Sequence, residues 1–293
     1  MIKNNPYLND TKPIVYLVST PIGNIEDITL RALRILKEAD IIACEDTRNT
    51  SRLLKRLNIE NKKLISLYAQ TEEKESINIL NKIIKEKLTL AYVSDAGMPG
   101  ISDPGSLLVK NAYKMNVKVS IIPGASACLS ALCLSSFDSA DFSFYGFLPT
   151  KESAKKTFLE ELKFRKETLI FYESPNRIKD TIKTLADVFQ FNRRISIVRE
   201  LTKIHEEVIT GELNEFLDDD SEYKGEIVLL IEGSKEEEKA SDEKIIELLK
   251  EGLKKESLAS LSKSIAKLTN RSKKEIYEIG LKIKSDCNKN RHL

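Results

Sequence analysis

A loop rich in glycine, proline and aspartate is the segment of this sequence best suited to holding a ligand. Residues 94–105 read Ser-Asp-Ala-Gly-Met-Pro-Gly-Ile-Ser-Asp-Pro-Gly, with three glycines, two prolines and two aspartates. Glycine permits positive φ angles and proline fixes φ, so neither a helix nor a strand is expected here. The loop follows the apolar run 88–93, and open α/β sheets bind ligands beyond the carboxyl ends of their strands. These residues make the chain a candidate enzyme.

Two further loops have the same character and follow other apolar runs. They read Ser19-Thr20-Pro21-Ile22-Gly23-Asn24 and Pro123-Gly124-Ala125-Ser126. The first contains one glycine where a dinucleotide fingerprint needs three, and the chain has no Gly-Lys-Ser/Thr phosphate loop. The three loops are also poor in lysine and arginine, so the ligand is not expected to be a polyphosphate. Asp95 and Asp103 favour a ligand that carries hydroxyl groups or positive charge.

An acidic segment, Glu45-Asp46-Thr47-Arg48, follows the apolar run 41–44. It could form the edge of an active site, with Arg48 meeting a phosphate and a carboxylate lying near an acceptor hydroxyl. Alternatively, Asp46 or Thr47 is an ordinary helix N-cap with a local ion pair. The residues alone leave both interpretations open.

The elements that must position these loops follow an α/β pattern. Apolar runs in the first half predict strands at 14–19, 41–44, 64–67, 88–93 and 119–122. Helical spacing relates Ala32, Ile35, Leu36 and Ala39, and also Ile77, Leu80 and Ile84. Strands separated by helices of this length predict βαβ units and a mainly parallel sheet. A last helix, 125–134, contains Cys128 and Cys133, which we expect to pack it against the sheet.

The pattern restarts after the polar segment 135–141. Strands are predicted at 142–145, 168–172, 195–198, 207–210 and 227–231, with helices at 152–164 and 177–189. The late strands follow one another closely, which favours a mixed sheet. We therefore expect an α/β domain at 12–135, a second at 136–234 and a charged linker at 234–239. A possible ion-pair network between domains involves Glu173, Arg199 and Glu200, whereas His205 is expected at the surface.

The C-terminal segment, 241–293, is predicted to be a basic helical module. Its apolar positions suggest three short helices, and residues 269–272 resemble the turn of a helix-turn-helix. It carries an excess of five positive charges, which leaves the rest of the chain with three net negative charges. Arg271, Lys273 and Lys274 lie at the predicted turn and are candidate RNA-binding residues. A solvated charged helix surface or a packing module is the alternative. The apolar positions are Ile245, Leu249, Leu253, Leu258, Leu261, Ile265, Leu268, Ile276, Ile279 and Ile283.

Composition excludes several classes of protein. The 293 residues are 41% hydrophobic and 31% charged, typical of a globular chain with a sizeable core. No apolar stretch approaches the ~18–20 residues that cross a bilayer, and residues 1–6 do not resemble a signal peptide. Four cysteines without a Cys-x-x-Cys pair, and two histidines, favour neither a metal site nor a disulfide framework. A reduced, cytoplasmic protein without metal is expected.

Seven motifs in order along residues 14–233 resemble the ribosomal RNA small subunit methyltransferase I family. They are LVSTPIGNIEDIT, ACEDTR, VSDAGMPGISDPG, IIPGASA, FYGFLP, FYESPNR and RELTK. The resemblance implies a tetrapyrrole-methylase-like fold of two α/β domains with S-adenosylmethionine between them. It also implies methylation of a cytidine ribose 2′-hydroxyl in small-subunit (16S) ribosomal RNA, a small C-terminal module and a homodimer.

The resemblance also implies positions for the site. Pro21, Asp95, Gly97, Met98, Ser126 and Ala127 would hold the cofactor, and Tyr172, Glu173 and Leu201 would face its other side. Together with the acidic segment, it makes Glu45, Asp46 and Arg48 the catalytic candidates, the two carboxylates as candidate bases. The chain departs from the family at Met98, where threonine is common. It departs again at 68–72, which replaces a His-x-His-Asn-Glu-like stretch.

Methyl transfer to a hydroxyl needs in-line approach and loss of a proton, but no metal. Positioning of two reactants can lower a barrier by up to ~7–11 kcal/mol, whereas a general base adds about 10²–10⁴-fold. Two rival hypotheses remain at this point. One is a tetrapyrrole or corrinoid methyltransferase, and the other is a non-catalytic ribosome-binding module.

Overall fold

The computed structural model describes residues 12–289, apart from 69, 71, 190, 219–220, 236–239 and 254–255 and the side chains of 284–289. These residues form two compact units. The first holds the described residues through 160 together with 167–232, and the second holds those of 161–166 and from 233 onward. Residues 1–6, most of the expected linker 234–239, and Cys287 and His292 as side chains lie outside the description.

The first sheet is entirely parallel, as the alternation of strands and helices predicts. Its order is β3-β2-β4-β1-β5, so β1, β2 and β4 are central. These three strands are buried on both faces, apart from one partly buried residue of β1, as expected for a parallel sheet between helical layers. The strands are β1 Ile14–Val18, β2 Ile41–Cys44, β3 Leu64–Ser66, β4 Thr89–Val93 and β5 Lys118–Ile122.

Helices cover both faces of this sheet. One face packs against α1 and α2, and the other against α3 and α4. The bounds are α1 Leu30–Glu38, α2 Thr47–Arg56, α3 Glu72–Glu86 and α4 Ser106–Lys114. The predicted stripe of α3 is wrong in part, because Ile77 and Ile84 are 41% and 38% exposed. Its buried apolar residues are Ile79, Leu80 and Ile83, which share another face of the same helix.

The second sheet is mixed, as predicted. Its order is β6-β7-β10-β8-β9, in which β6 and β7 are parallel and the remaining pairs are antiparallel. The strands are β6 Phe142–Phe147, β7 Thr168–Glu173, β8 Arg194–Arg199, β9 Glu207–Glu212 and β10 Ile227–Ile231. Helix α5 is Ala127–Leu134, α6 is Glu152–Leu162 and α7 is Ile178–Val188.

Helix α5 joins the two halves of this unit. It directly follows the first sheet in the chain, yet its buried residues Cys128, Ala131 and Leu132 belong to a core with Ile170 and Leu230 of the second sheet. Cys128 is buried as expected, but it packs against the second sheet rather than the first, and Cys133 is exposed. The sheets are therefore coupled through one helix as well as through their loops.

The second unit is a three-helix module, with α8 Asp242–Gly252, α9 Leu258–Thr269 and α10 Lys273–Lys289. Ser241 and Ser257 cap α8 and α9, and Asn270 adopts a left-handed conformation at the predicted turn. Six of the predicted apolar positions form its buried core, whereas Leu268 is 77% exposed and does not belong there. Within the described chain, no helix combines the length and apolar character needed to cross a membrane.

Glu72 holds the end of the glycine- and proline-rich loop in place. Its side chain is buried, and Oε1 accepts hydrogen bonds from the backbone amides of Gly105, Leu107 and Leu108 at 2.8, 2.8 and 3.1 Å. These amides start α4, so the carboxylate caps a helix from another element. Tyr92, fully buried in β4, donates a hydrogen bond to the Pro104 carbonyl at 2.8 Å.

Replacement of Glu72 should therefore destabilise the first unit. Glu72→Ala leaves buried amide donors without an acceptor, and we expect a loss of about 1–3 kcal/mol in the free energy of unfolding. Urea denaturation, monitored by circular dichroism, measures this free energy of unfolding. Glu73→Ala on the exposed side of the same helix is the matched control, and equal midpoints for the two variants would contradict the capping role.

Candidate active site

The three ligand-type loops meet at the carboxyl end of the first sheet. The amides and carbonyls of Thr20 and Gly97 exchange hydrogen bonds of 2.9 and 3.1 Å, and the Ser19 hydroxyl donates to the Ala125 carbonyl at 3.0 Å. Each loop is thus held by another loop as well as by its own strand. The result is one fixed surface, as the sheet topology predicts.

A cavity of about 370 Å³ lies between these loops and the second sheet. All the predicted cofactor residues except Pro21 line it, and Ile22 takes the place expected for Pro21. The lining residues from the first half are Ile22, Asp95, Ala96, Gly97, Met98, Ile101, Ser102, Asp103, Ser126 and Ala127. Those from the second half are Phe147, Tyr172, Glu173, Ser174, Pro175, Leu201, Gly225, Glu226, Ile227 and Val228.

The charge of this cavity is one-sided. Among its described lining residues, Asp95, Asp103, Glu173 and Glu226 carry carboxyl groups and none is lysine or arginine. Burial raises the pKa of Tyr172 to about 12, so its phenol is neutral at neutral pH. The cavity therefore combines apolar walls and carboxylates, which suit an uncharged or positively charged ligand. No group of histidine, cysteine or acidic residues within the described chain could hold a metal ion.

The predicted acidic segment lies beside the cavity and reaches it through Asp95. The Asp95 carboxylate accepts hydrogen bonds from the Asp46 amide at 3.3 Å and from Asn49 Nδ2 at 2.7 Å. Asp46 caps α2 and forms an ion pair of 2.7 Å with Arg48, whose side chain is largely exposed. The local N-cap and ion pair considered from the sequence are thus present. Neither Asp46 nor Arg48 lines the cavity, and Glu45 also lies outside it.

The carboxyl groups near this edge differ in acidity. Hydrogen bonds from Arg48 lower the pKa of Asp46 to about 2. Burial raises the pKa of Glu45, and the nearby negative charges of Asp103 and Asp95 add to the effect. Burial also raises the pKa of Asp103; a hydrogen bond with Ser94 opposes this rise and the charge of Asp95 adds to it. Asp103 is the one of these three that also lines the cavity.

Glu173 is held by its own domain. It contacts Arg177 Nε at 3.3 Å and accepts hydrogen bonds from the Ser174 amide at 2.8 Å and the Thr181 hydroxyl at 2.7 Å. Arg177 in turn donates to the carbonyls of Leu148 and Pro149. Glu173 thus fixes the start of the loop that forms one cavity wall, although it also lines the cavity.

Glu173, Arg199 and Glu200 do not form the ion-pair network between domains that was considered from the sequence. Arg199 pairs with Glu207 and Glu200 with Lys203, both within the second domain. His205 is exposed, as expected. The contact between domains at this point is instead a hydrogen bond of 2.9 Å from the Asn24 amide to the Thr202 hydroxyl.

Several cavity residues were not predicted from the sequence. Phe147 belongs to the FYGFLP motif, and Ile101 and Ser102 belong to the long loop, so their motifs were available signals; Asp103 of that loop had been expected to face a ligand. No sequence motif indicated that residues 225–228 belong to the cavity, because only a strand was predicted for this segment. They reach the cavity because the antiparallel strand β10 lies at the centre of the second sheet.

The candidate RNA-binding residues differ from one another within the second unit. Arg271 is largely buried, contacts Asp242 at 2.8 Å and Glu275 at 3.4 Å, and donates to the Ala240 carbonyl. Lys273 and Lys274 are exposed at the start of α10. Part of the departing stretch 68–72, namely Ala69 and Thr71, lies outside the described residues. Glu72 of that stretch is the cap of α4.

Comparisons with known proteins agree with this architecture. Residues 14–217 match the family model for tetrapyrrole (corrin/porphyrin) methylases. Crystal structures of a uroporphyrin-III C-methyltransferase from Thermus thermophilus and of a diphthine synthase have TM-scores of 0.53 and 0.57. They share 17% and 14% identity, and the match covers 75% of this chain and 94% and 90% of theirs. At this identity the likeness concerns the fold alone.

Relatives at much higher identity carry the name ribosomal RNA small subunit methyltransferase I. The protein from Halalkalibacterium halodurans is 47% identical over 78% of both chains, and that from Bacillus subtilis is 43% identical over 79% of both. The Rickettsia prowazekii protein is 40% identical over 90% of this chain and 95% of its own. The chain therefore belongs to the tetrapyrrole (corrin/porphyrin) methylase family, among the relatives named ribosomal RNA small subunit methyltransferase I.

Proposed function

We propose that this protein is an S-adenosylmethionine-dependent enzyme that methylates the ribose 2′-hydroxyl of a cytidine in small-subunit ribosomal RNA. The observation that carries the proposal is the cavity of about 370 Å³, which bears carboxylates and is lined by no described lysine or arginine. The names of the relatives support ribosomal RNA as the substrate. A homodimer in the cytoplasm is part of the same proposal, on the basis of the family resemblance.

The residues of the cavity fit this cofactor. S-adenosylmethionine supplies a methyl group on a positively charged sulfonium and also carries an ammonium group. Asp95 offers a carboxylate to a cation, and Met98 and Leu201 offer apolar surface. The backbone at Gly97 and Ala127 can approach a ligand closely because neither side chain extends beyond Cβ. Binding in this fixed setting orders the reactants, which is the largest contribution available to this reaction.

Asp103 is our candidate for the group that removes the hydroxyl proton. Asp46 is a poor base, because its bond to Arg48 stabilises its charged form and lowers its pKa to about 2. Asp103 lines the cavity, and burial raises its pKa towards the range where a base is effective. The bound cofactor would supply the methyl group by cleavage of its carbon–sulfur bond, with S-adenosylhomocysteine as the leaving group, while the Asp103 carboxylate would take the hydroxyl proton. Glu45 would support it through its charge, and the exposed Arg48 would meet an RNA phosphate.

The first test is cofactor binding and methyl transfer by the purified protein. Calorimetry should detect S-adenosylmethionine, and labelled methyl groups should enter small-subunit RNA and appear as 2′-O-methylcytidine in nucleoside mass spectrometry. Methylation of a porphyrinogen, or no transfer despite binding, would contradict the proposal.

Two variants test the assignment of the cavity. Asp95→Ala should weaken cofactor binding at least tenfold, because a carboxylate facing a cation is lost. Asn49→Ala removes a hydrogen bond to Asp95 but leaves its charge, and is the matched control. Equal weakening by both would mean that Asp95 acts through the shape of the loop.

A second prediction concerns pH. A base must be ionised to accept a proton, so the rate should fall as pH drops through the pKa of Asp103. Because this pKa is raised, the acid limb of the kcat profile should lie above the ordinary aspartate value of 3.8. Asp103→Asn should lower kcat about 10²–10⁴-fold and abolish this limb, with cofactor affinity retained. An unchanged limb in the variant would assign it to another group.

A third prediction concerns the C-terminal module. If Lys273 and Lys274 contact phosphates, replacing both with alanine should flatten the dependence of log affinity on log salt by about 0.7–0.9 per contact. Filter binding of small-subunit RNA across a KCl series measures it. Lys110→Ala with Lys114→Ala, an exposed pair on α4, is the control. A slope equal to that of the wild type would leave the module without this role.

A further inference from the structure

A second cavity, of about 490 Å³, adjoins the first. Ile101, Ser102, Phe144, Tyr145, Gly146 and Phe147 line it. Ile101, Ser102 and Phe147 line both cavities, so these three side chains form a common wall. A molecule in one cavity and a molecule in the other could thus meet across a single layer of residues.

The common wall presents two exposed apolar side chains to solvent. Phe147 is 60% exposed and Ile101 is 58% exposed. The Phe147 ring packs edge-on against Tyr172 at a centroid distance of 5.5 Å, and Tyr172 packs against Phe144 at 4.9 Å. One side of the exposed ring is therefore supported by aromatic neighbours, while much of it remains open.

The backbone of β6 places Phe147 in this position. The pairing of β6 with β7 changes register between Phe144 and Phe147, and Gly146 lies inside this irregularity with φ of 68°. Such a bulge redirects the side chain that follows it, and positive φ favours glycine. A Cβ on Gly146 would lie 3.6 Å from Ser102 Oγ, so the strand also closely approaches the long loop.

The chemistry of the second cavity selects among ligands. No described residue that lines it is charged, so it is suited to a flat apolar face rather than to a phosphate. Single-stranded nucleotides are commonly held by stacking of their bases on aromatic side chains. A nucleoside with its base here would have its sugar near the common wall.

We propose that the second cavity receives the base of the acceptor nucleotide, which stacks on Phe147 while its ribose lies at the wall formed with Ile101 and Ser102. This inference rests on the proposed function and adds a residue that recognises the RNA. Phe147 orients the nucleotide and takes no part in proton transfer, and because it lines both cavities its replacement should lower kcat/KM for RNA by a larger factor than it lowers cofactor affinity.

The test compares four variants in methylation of small-subunit RNA, with cofactor affinity measured by calorimetry. Stacking on one aromatic residue contributes enough that Phe147→Ala should lower kcat/KM for RNA by about 5- to 150-fold. Phe147→Trp, which keeps a larger stacking face, should retain most of the activity. Phe147→Leu keeps apolar bulk without an aromatic face and should resemble the alanine variant. Phe191→Ala, at a phenylalanine that is 59% exposed and lines neither cavity, is the matched control.

The possible results separate this inference from the proposed function. Wild-type activity with Phe147→Leu or Phe147→Ala would overturn the stacking role while leaving the RNA methyltransferase assignment intact. An equal loss of cofactor affinity in Phe147→Ala would assign the residue to the first cavity instead. If the wild-type protein methylates a porphyrinogen and no RNA, both the proposed function and the nucleoside site fail.

Discussion

One carboxylate oxygen of Glu72 accepts hydrogen bonds from three backbone amides, at the point where the long loop ends and α4 begins. The loop spans twelve residues without regular structure, so its own hydrogen bonds cannot fix its shape. Glu72 secures its carboxyl end, Tyr92 secures Pro104, and the bridge between Thr20 and Gly97 secures its start. These contacts hold the loop on which Asp95 and Asp103 lie, so both carboxylates have defined positions at the cavity.

The carboxylates in and beside the cavity repel one another, and hydrogen bonds within the fold offset part of this repulsion. Burial is the main cause of the raised pKa values of Glu45 and Asp103, and the negative charge of Asp95 adds to both. The negative charge of Asp95 is stabilised by hydrogen bonds from the Asp46 amide and from the Asn49 side chain at the start of α2. Clusters of like charge destabilise a folded protein unless a counter-charge or a hydrogen-bond donor is supplied. A cationic ligand would reduce the remaining repulsion between these carboxylates, which agrees with the ligand we propose.

The sequence predicted the architecture because the physical signals for it are local. Buried parallel strands appear as apolar runs, and glycine and proline mark the loops between them. The buried face of α3 is predicted only in part: Leu80 is buried, but Ile77 and Ile84 are exposed although they fit helical spacing as well as Ile79 and Ile83 do. The packing of α5 on the second sheet was also beyond sequence reasoning, since it depends on contacts between distant strands. The cavity residues of β10 had no signal, because their position follows from the order of the second sheet.

The two sheets contribute differently to the candidate site, and their junction is narrow. A Cβ on Gly23 would lie 2.6 Å from the side chains of Thr202 and Lys203 and 2.7 Å from the Leu201 carbonyl, so the first loop meets the second domain at a distance that only glycine permits. The Thr202 hydroxyl accepts a hydrogen bond from the Asn24 amide at this junction. The backbone φ of Thr202 is 65°, a conformation that a β-branched residue adopts only when its surroundings impose it. A site that works mainly by positioning depends on such contacts as much as on the residues that touch a ligand. Glu72 and Thr202 hold the loops that bound the cavity although they do not line it, so the shape of the candidate site depends on them as well.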